Sequence, residues 1–271
     1  MCREVDKGSV NKTYGIAGYV IESFIPSEYL RGNFVEYEIS KSDKVLPDVM
    51  VRLVYEDVNC KTVGKQIAEN KIFYCFNNVY TYQYTNYKYI SYSRLVMDNN
   101  MNTIIIYSTK DKIELDELFN YKTEVSYAFR DVFYSFLIEK NNLCLHSAGY
   151  IKNKKGFLIS GHSGSGKSTR IRNIKDKIIV GEDVNVCKIV NGKMIFGALP
   201  WCRINNNVWG ELSQIVFLGN KEKTMSIDEI KNELSKNEFV MSWLPNSGNV
   251  VDYYSDILFK LGCVMELAYS I

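Results

Sequence analysis

The chain has little of what builds metal clusters, disulfide frameworks or linkers. Its 271 residues include two histidines, His146 and His162, which excludes a histidine-rich metal site. Seven cysteines stand at 2, 60, 75, 144, 187, 202 and 263; none forms a Cys-x-x-Cys pair and the number is odd, so clustered metal and paired disulfides are both disfavoured. Most of them read as small core residues of a reduced protein. Proline is scarce, at 4, and no Pro-rich or Gly/Ser-rich stretch marks a flexible linker. No apolar run approaches the roughly 18 residues of a membrane span. The opening Met1-Cys2-Arg3-Glu4-Val5-Asp6-Lys7 lacks the apolar core of a signal peptide. A net charge of +2 gives no strong pull toward nucleic acid or membrane. The expectation is a cytoplasmic protein with neither nucleic acid nor membrane as a partner.

What is abundant is tyrosine, at 20, concentrated in a first half rich in short aromatic and β-branched runs. After a polar stretch over 1–14, read as a loose arm, strand-like runs cover 18–22, 34–39, 49–55, 71–76, 79–84, 87–92 and 103–107. Turns at Asn77-Asn78, Asn86 and Asp98-Asn99-Asn100 separate the later ones. The pattern predicts an antiparallel meander. Alternating tyrosines over 80–92 suit a base-stacking platform or cross-strand aromatic pairs; without a basic stripe the second reading is preferred. Val125, Ala128, Phe129, Val132, Phe133, Phe136 and Leu137 then recur at helical spacing, predicting a helix over 120–140 that packs on a sheet.

The run Gly161-His162-Ser163-Gly164-Ser165-Gly166-Lys167-Ser168 fits the phosphate-loop (Walker A) pattern G-x-x-x-x-G-K-[ST] at every fixed position. Glycines let successive N–H groups converge on one anion, and a following helix adds its positive end. The apolar 156–160 before it reads as a strand and 168–175 after it as a short helix, the order the motif requires. The loop predicts ATP and Mg²⁺ as cofactors. Gly161, Ser163, Gly164, Ser165, Gly166 and Lys167 would cradle the phosphates, Thr169 would touch the α-phosphate, and the Ser168 hydroxyl would ligate the metal. His162 occupies a variable position of the pattern and receives no role.

Beyond the loop, 178–180 is a compact apolar run that ends in Gly181-Glu182-Asp183. Carboxylates at a strand end beside a phosphate loop are placed to hold Mg²⁺, a task assigned to Asp183 together with Ser168. Asn191-Gly192 between two alternating runs marks a hairpin. A strand over 213–218, a capping box at Ser226-Ile227-Asp228-Glu229, a helix over 251–261 ending at Gly262, and a last strand over 264–269 complete the chain. Trp201 and Arg203 are candidates for lining a substrate cleft.

Three segments together, Leu145-His146-Ser147-Ala148, the loop Gly161 to Ser168, and Gly181-Glu182-Asp183, with Pro200-Trp201-Cys202 as a fourth feature, resemble HPr kinase/phosphorylase and the smaller kinases related to it. Some of those kinases phosphorylate a serine of a ribosomally made precursor peptide. The resemblance spans roughly 140–271. It implies an α+β chain, with a β-rich N-terminal domain over 1–140, closed by a helix and available for substrate recognition. A P-loop HPr-kinase-like catalytic domain with a mixed sheet would then occupy 141–271. It implies an ATP-dependent serine kinase in which Glu182 accepts the proton of the incoming hydroxyl, Lys167 and Asp183 serve the phosphates and metal, and His146 orients a carboxylate or the γ-phosphate. The partner would be a peptide or protein with an acceptor serine, with homo-oligomers left open. The family usually carries Asp-Asp where this chain has Glu182-Asp183, and the Glu-Ile-Arg-Gly signature tied to phosphorylase activity is absent.

Two other classes fit the loop alone: a P-loop NTPase or small-molecule kinase, and a non-catalytic nucleotide-binding scaffold. The chain has no Leu-Ser-Gly-Gly-Gln signature, no arginine-rich lid and no Asn-Lys-x-Asp base-reading motif.

Overall fold

In a computed structural model of the protein, residues 11–40, 46–56, 64–219, 222–262 and 264–268 are described. The chain divides into two compact units, Met1–Phe136 and Leu137–Ile271. The first ten residues of the expected arm, Tyr269 of the expected last strand, and Cys2, Cys60 and Cys263 lie outside the described residues.

The first unit is an eight-stranded sheet with one long helix. In chain order the strands are β1 (Lys12–Ile16), β2 (Tyr19–Ser23), β3 (Val49–Tyr55), β4 (Lys65–Ala68), β5 (Lys71–Phe76), β6 (Val79–Tyr84), β7 (Ile90–Val96) and β8 (Asn102–Ser108). In space they run β1-β2-β3-β8-β7-β6-β5-β4. The β4-to-β8 portion is the expected antiparallel meander, but β3 pairs parallel with both β2 and β8, so the sheet is mixed. The period-2 pattern of 49–55 reports which face a residue takes and is silent on strand direction.

Two other expectations are corrected. Residues 12–16 form a strand, because Ala17 (φ 56°) and Gly18 (φ 80°) make a two-residue hairpin turn that the alanine conceals in the sequence. Residues 34–37 form a single 3₁₀ turn instead of a strand, because a three-residue period buries Phe34 and Tyr37 together. Phe34 lies 5.4 Å from the ring of Tyr14 and 6.0 Å from that of Phe129.

Helix α1 (Leu118–Glu139) lies where the spacing predicts and buries Val125, Ala128, Phe129, Val132, Phe133 and Phe136. Tyr82 and Tyr84 are core residues whose hydroxyls are bonded to this helix or to the sheet. Tyr82 Oη and Ser135 Oγ are 2.6 Å apart, and Tyr84 Oη lies 2.9 Å from Ser93 Oγ. Burial pushes the Tyr84 hydroxyl well above its ordinary range. The expected strand over 87–92 begins later, at Ile90, since Tyr87 stacks on Tyr84 at 4.6 Å and 5°.

The second unit holds β9 (Leu143–Lys152), β10 (Lys155–Ser160), α2 (Lys167–Arg172), β11 (Ile178–Val190), β12 (Lys193–Ala198), β13 (Ile204–Asn205), β14 (Gly210–Gly219), β15 (Lys223–Thr224), α3 (Ile227–Ser235), α4 (Ser247–Leu261) and β16 (Val264–Ala268). Its sheet runs β10-β9-β11-β12-β14-β16-β15, and β10 also pairs parallel with β14. Five strands therefore close on themselves. Phe196 of β12 is fully buried inside that closure, where three glycines on three other strands make room for its ring. A Cβ at Gly149 would stand 2.8 Å from it, at Gly156 2.4 Å and at Gly210 3.2 Å.

The other face of the sheet carries Ala148, Ile159, Val216 and Leu218, covered by Ile171 of α2. The hairpin at Asn191 (φ 51°) and Gly192 (φ 74°) and the capping box of Ser226 and Glu229 form as the sequence predicts. Helix α4 begins at Ser247, a turn earlier than expected. Cys144, Cys187 and Cys202 are buried and form no disulfide. Among the described residues no helix is long and apolar enough to cross a membrane.

Candidate nucleotide and phosphoryl-transfer site

The phosphate-loop motif begins after β10 and runs into the first turn of α2. Gly164 (φ 78°) and Gly166 (φ 86°) take the left-handed conformation, and a Cβ at either would meet nothing within 4 Å. Backbone shape, not crowding, therefore calls for glycine here, and the space over the loop is open. Gly166 is the N-cap of α2, and His162, Ser163, Gly164 and Thr169 are exposed.

Lys167 is 8% exposed, and its Nζ donates to the carbonyls of Gly161 (2.8 Å) and His162 (2.9 Å). The ammonium thus lies along the loop backbone with its charge inside the curl. Ser165 Oγ is buried and has no hydrogen-bond partner. A buried hydroxyl left in that state costs about 1–3 kcal/mol, which a ligand oxygen would offset. An open curl of glycines, an inward ammonium and an orphaned hydroxyl fit a phosphate chain.

The ladder fixes where the acidic pair lies. Ser160, the last residue of β10, faces Ser147 on β9, and Ser147 faces Asp183 on β11. Strands β10 and β11 both run antiparallel to β9, so Asp183 is level with the base of the loop, two strands away, about 10 Å by strand spacing. His146 faces Val184, one step further along, and its carbonyl accepts from Ser160 Oγ at 3.0 Å. Its N–H donates to Asn237 Oδ1 (3.2 Å), and its ring lies edge-on to Phe239 at 5.6 Å.

The acidic pair is not at a strand end as expected. Strand β11 runs on through it for thirteen residues, because after β13 it goes on to pair with β12. The strand is irregular there instead. Its register against β9 shifts between Ile179 and Gly181, and Asp183 has φ 98°, a conformation that costs a non-glycine residue about 1–3 kcal/mol. The two carboxylates have opposite surroundings. Asp183 is exposed. Glu182 is 2% exposed, faces Ala148 on the side covered by α2, and has Oε2 3.5 Å from Arg172 Nη2, while its Oε1 is without a partner.

Ser168 and Asp183 supply hard oxygen donors suited to Mg²⁺. Among the described residues no group of three or more His, Cys, Asp or Glu side chains could hold a metal by itself. A metal at Asp183 would therefore draw its remaining ligands from phosphate and water, which is the usual mode for Mg²⁺.

Arg172, the partner of Glu182, and Asn185, Cys202 and Asn206, which bond the backbone around the acidic pair, receive no role from the sequence. The one signal for Asn185 is its place as a lone polar residue within the apolar run 184–187.

No protein-family model and no curated protein matches the chain. Among solved structures, the HPr(Ser) kinase/phosphatase from Coxiella burnetii aligns over 47% of this chain and 79% of its own, at 13% identity and a TM-score of 0.28.

Proposed function

We propose that the protein is an ATP- and Mg²⁺-dependent kinase that transfers the γ-phosphoryl group to a serine hydroxyl of a peptide or protein. The observation that carries this reading is the row Ser160–Ser147–Asp183, in which the Asp183 carboxylate lies level with the base of the loop motif. Phosphoryl transfer asks a protein for positioning and charge neutralisation more than for covalent chemistry. Lys167 and the loop amides neutralise and align the phosphates, and Ser168 and the exposed Asp183 hold the metal. A bound Mg²⁺ held by Ser168 and Asp183 would supply positive charge against the phosphates. Glu182, once substrate binding uncovers its buried and unpartnered Oε1, accepts the proton of the acceptor hydroxyl there as the new O–P bond forms and the bond to the β-phosphate breaks, releasing ADP. His146, on the same face of β9 as Ala148, orients the γ-phosphate. The N-terminal unit is assigned to acceptor recognition.

The test is incubation with Mg²⁺-ATP and the peptide product of a neighbouring short reading frame, followed by mass spectrometry for an added phosphoryl group. Transfer in the parent and its loss in Lys167→Ala supports the reading. ATP consumed with no phosphorylated acceptor supports an NTPase instead, and binding without turnover a scaffold.

A further inference from the structure

The stretch of β11 that carries the acidic pair is bonded in an unusual way. Around the shifted register, successive carbonyls accept from side chains and loop groups. Ile179 O accepts from Asn206 Nδ2 (2.6 Å) and Val180 O from the Asn206 N–H (3.2 Å). Gly181 O accepts from Asn185 Nδ2 (3.4 Å), and Val184 O from the Cys202 thiol (2.8 Å).

Asn185 is the most deeply placed of these donors, with no exposed surface. Its Nδ2 also donates to the carbonyl of Ser147 (3.1 Å) and to Ser147 Oγ (3.0 Å). Ser147 is the residue that faces Asp183 across the ladder. One amide therefore ties the residue before the acidic pair to the residue opposite it. The slot it occupies is made by Gly149 and Gly181, which face each other in the register. A Cβ at Gly149 would stand 2.8 Å from Asn185 Oδ1, and one at Gly181 3.2 Å. Two carbonyl acceptors fix which end of the amide points at them, so Oδ1 is left in the slot without a partner. A buried side chain that leaves an acceptor unmet while spanning a strained backbone step is not explained by packing alone.

We propose that Asn185 is a positioning residue: its carboxamide clamps the Gly181–Val184 step of β11 in the strained conformation that turns Asp183 to solvent, level with the phosphate loop. The clamp rests on the ladder and the hydrogen bonds alone; its consequence for metal binding rests on the reading of Asp183 as a metal ligand.

A stability cycle tests the clamp without reference to activity. Glycine at 183 adopts φ 98° freely, so in an Asp183→Gly background no clamp is needed to maintain it. Asn185→Leu, close in volume and without donors, should lower Tm distinctly less in that background than in the parent chain. Equal losses in the two backgrounds overturn the proposal. Asn185→Ala, which also lacks the donors, serves the same cycle if Asn185→Leu does not fold. The second readout is ATP affinity with and without Mg²⁺. Loss of the clamp should reduce the metal's contribution about tenfold while metal-free ATP affinity stays within about twofold. If Asp183→Asn removes that contribution and loss of the clamp leaves it intact, the role of Asn185 is purely structural, which also overturns the proposal. If the parent chain binds no nucleotide, the phosphate-site reading fails and the stability cycle alone decides the clamp.

Discussion

The Arg172 guanidinium, at the end of the helix leaving the phosphate loop, lies 3.5 Å from the buried carboxylate of Glu182 on β11. The pair links the loop helix to the acidic step. Arg172 is about half-exposed, with a side-chain accessibility of 54%, which weakens the Coulomb attraction; Glu182 is enclosed and depends on its partner. Arg172→Ala should destabilise the second unit by about 1–2 kcal/mol, between exposed and buried pairs. Adding Glu182→Gln should recover part of the loss, since it removes the uncompensated charge. Chemical denaturation of the two variants checks this.

Glu182→Gln and Asp183→Asn should separate the roles of the two carboxylates. The first should retain Mg²⁺-ATP binding and lose transfer. The second should lose the Mg²⁺-dependent part of nucleotide binding while changing stability by no more than about 0.5 kcal/mol, as asparagine tolerates a positive φ. Calorimetric titration with and without Mg²⁺, alongside the transfer assay, distinguishes them.

Lys167→Ala should weaken ATP binding about 10- to 100-fold, the value of a charge-assisted hydrogen bond to phosphate. The same substitution removes the bonds to Gly161 O and His162 O, so the loop should become more susceptible to proteolysis. Titration with a fluorescent ATP analogue and limited digestion report the two effects.

Gly156→Ala would place a methyl 2.4 Å from Phe196 Cε1 and 2.5 Å from the Glu211 carbonyl oxygen. The second neighbour is backbone and cannot turn away, so a loss of about 1–3 kcal/mol is expected. Phe196→Leu in the same chain should recover little of it. Thermal melts of the single and double variants decide.

Glu229 gives a pH dependence with a defined sign. Lys223 first, then the Ser226 N–H, pull its carboxyl down to about 2 in the folded chain. A folded-state value below the unfolded one contributes stability at neutral pH, and that contribution disappears as pH falls from the ordinary carboxylate range toward 2. Glu229→Gln should therefore lower Tm at pH 7 and show a smaller further decline between pH 5 and pH 2 than the parent, by about the amount the capping box contributes.

Periodicity and motif reveal much of this architecture in advance. Helix α1 follows from apolar residues at helical spacing, the Asn191-Gly192 hairpin from its turn chemistry, and the loop from eight consecutive residues. The elements that escape are those decided by distant partners. Phe34 and Tyr37 look like strand residues until Tyr14 and Phe129 are beside them. The parallel pairing of β3 is a matter of topology, to which alternation is blind. At the candidate site the donors and acids are legible, while the irregular backbone that presents them is not. Asp183 carries no mark of its positive φ, and Asn185 reads as one polar residue in an apolar run until Ser147 is placed opposite.

Strand β10 is paired along both sides, with β9 on one and β14 on the other. It therefore offers no fraying edge from which its amides could exchange with solvent, and deuterium uptake over 156–160 should require cooperative opening of the whole second unit. The six residues that follow rise from that slow-exchanging stem. A ligand that orders them should register as protection confined to 161–166, with the stem unchanged.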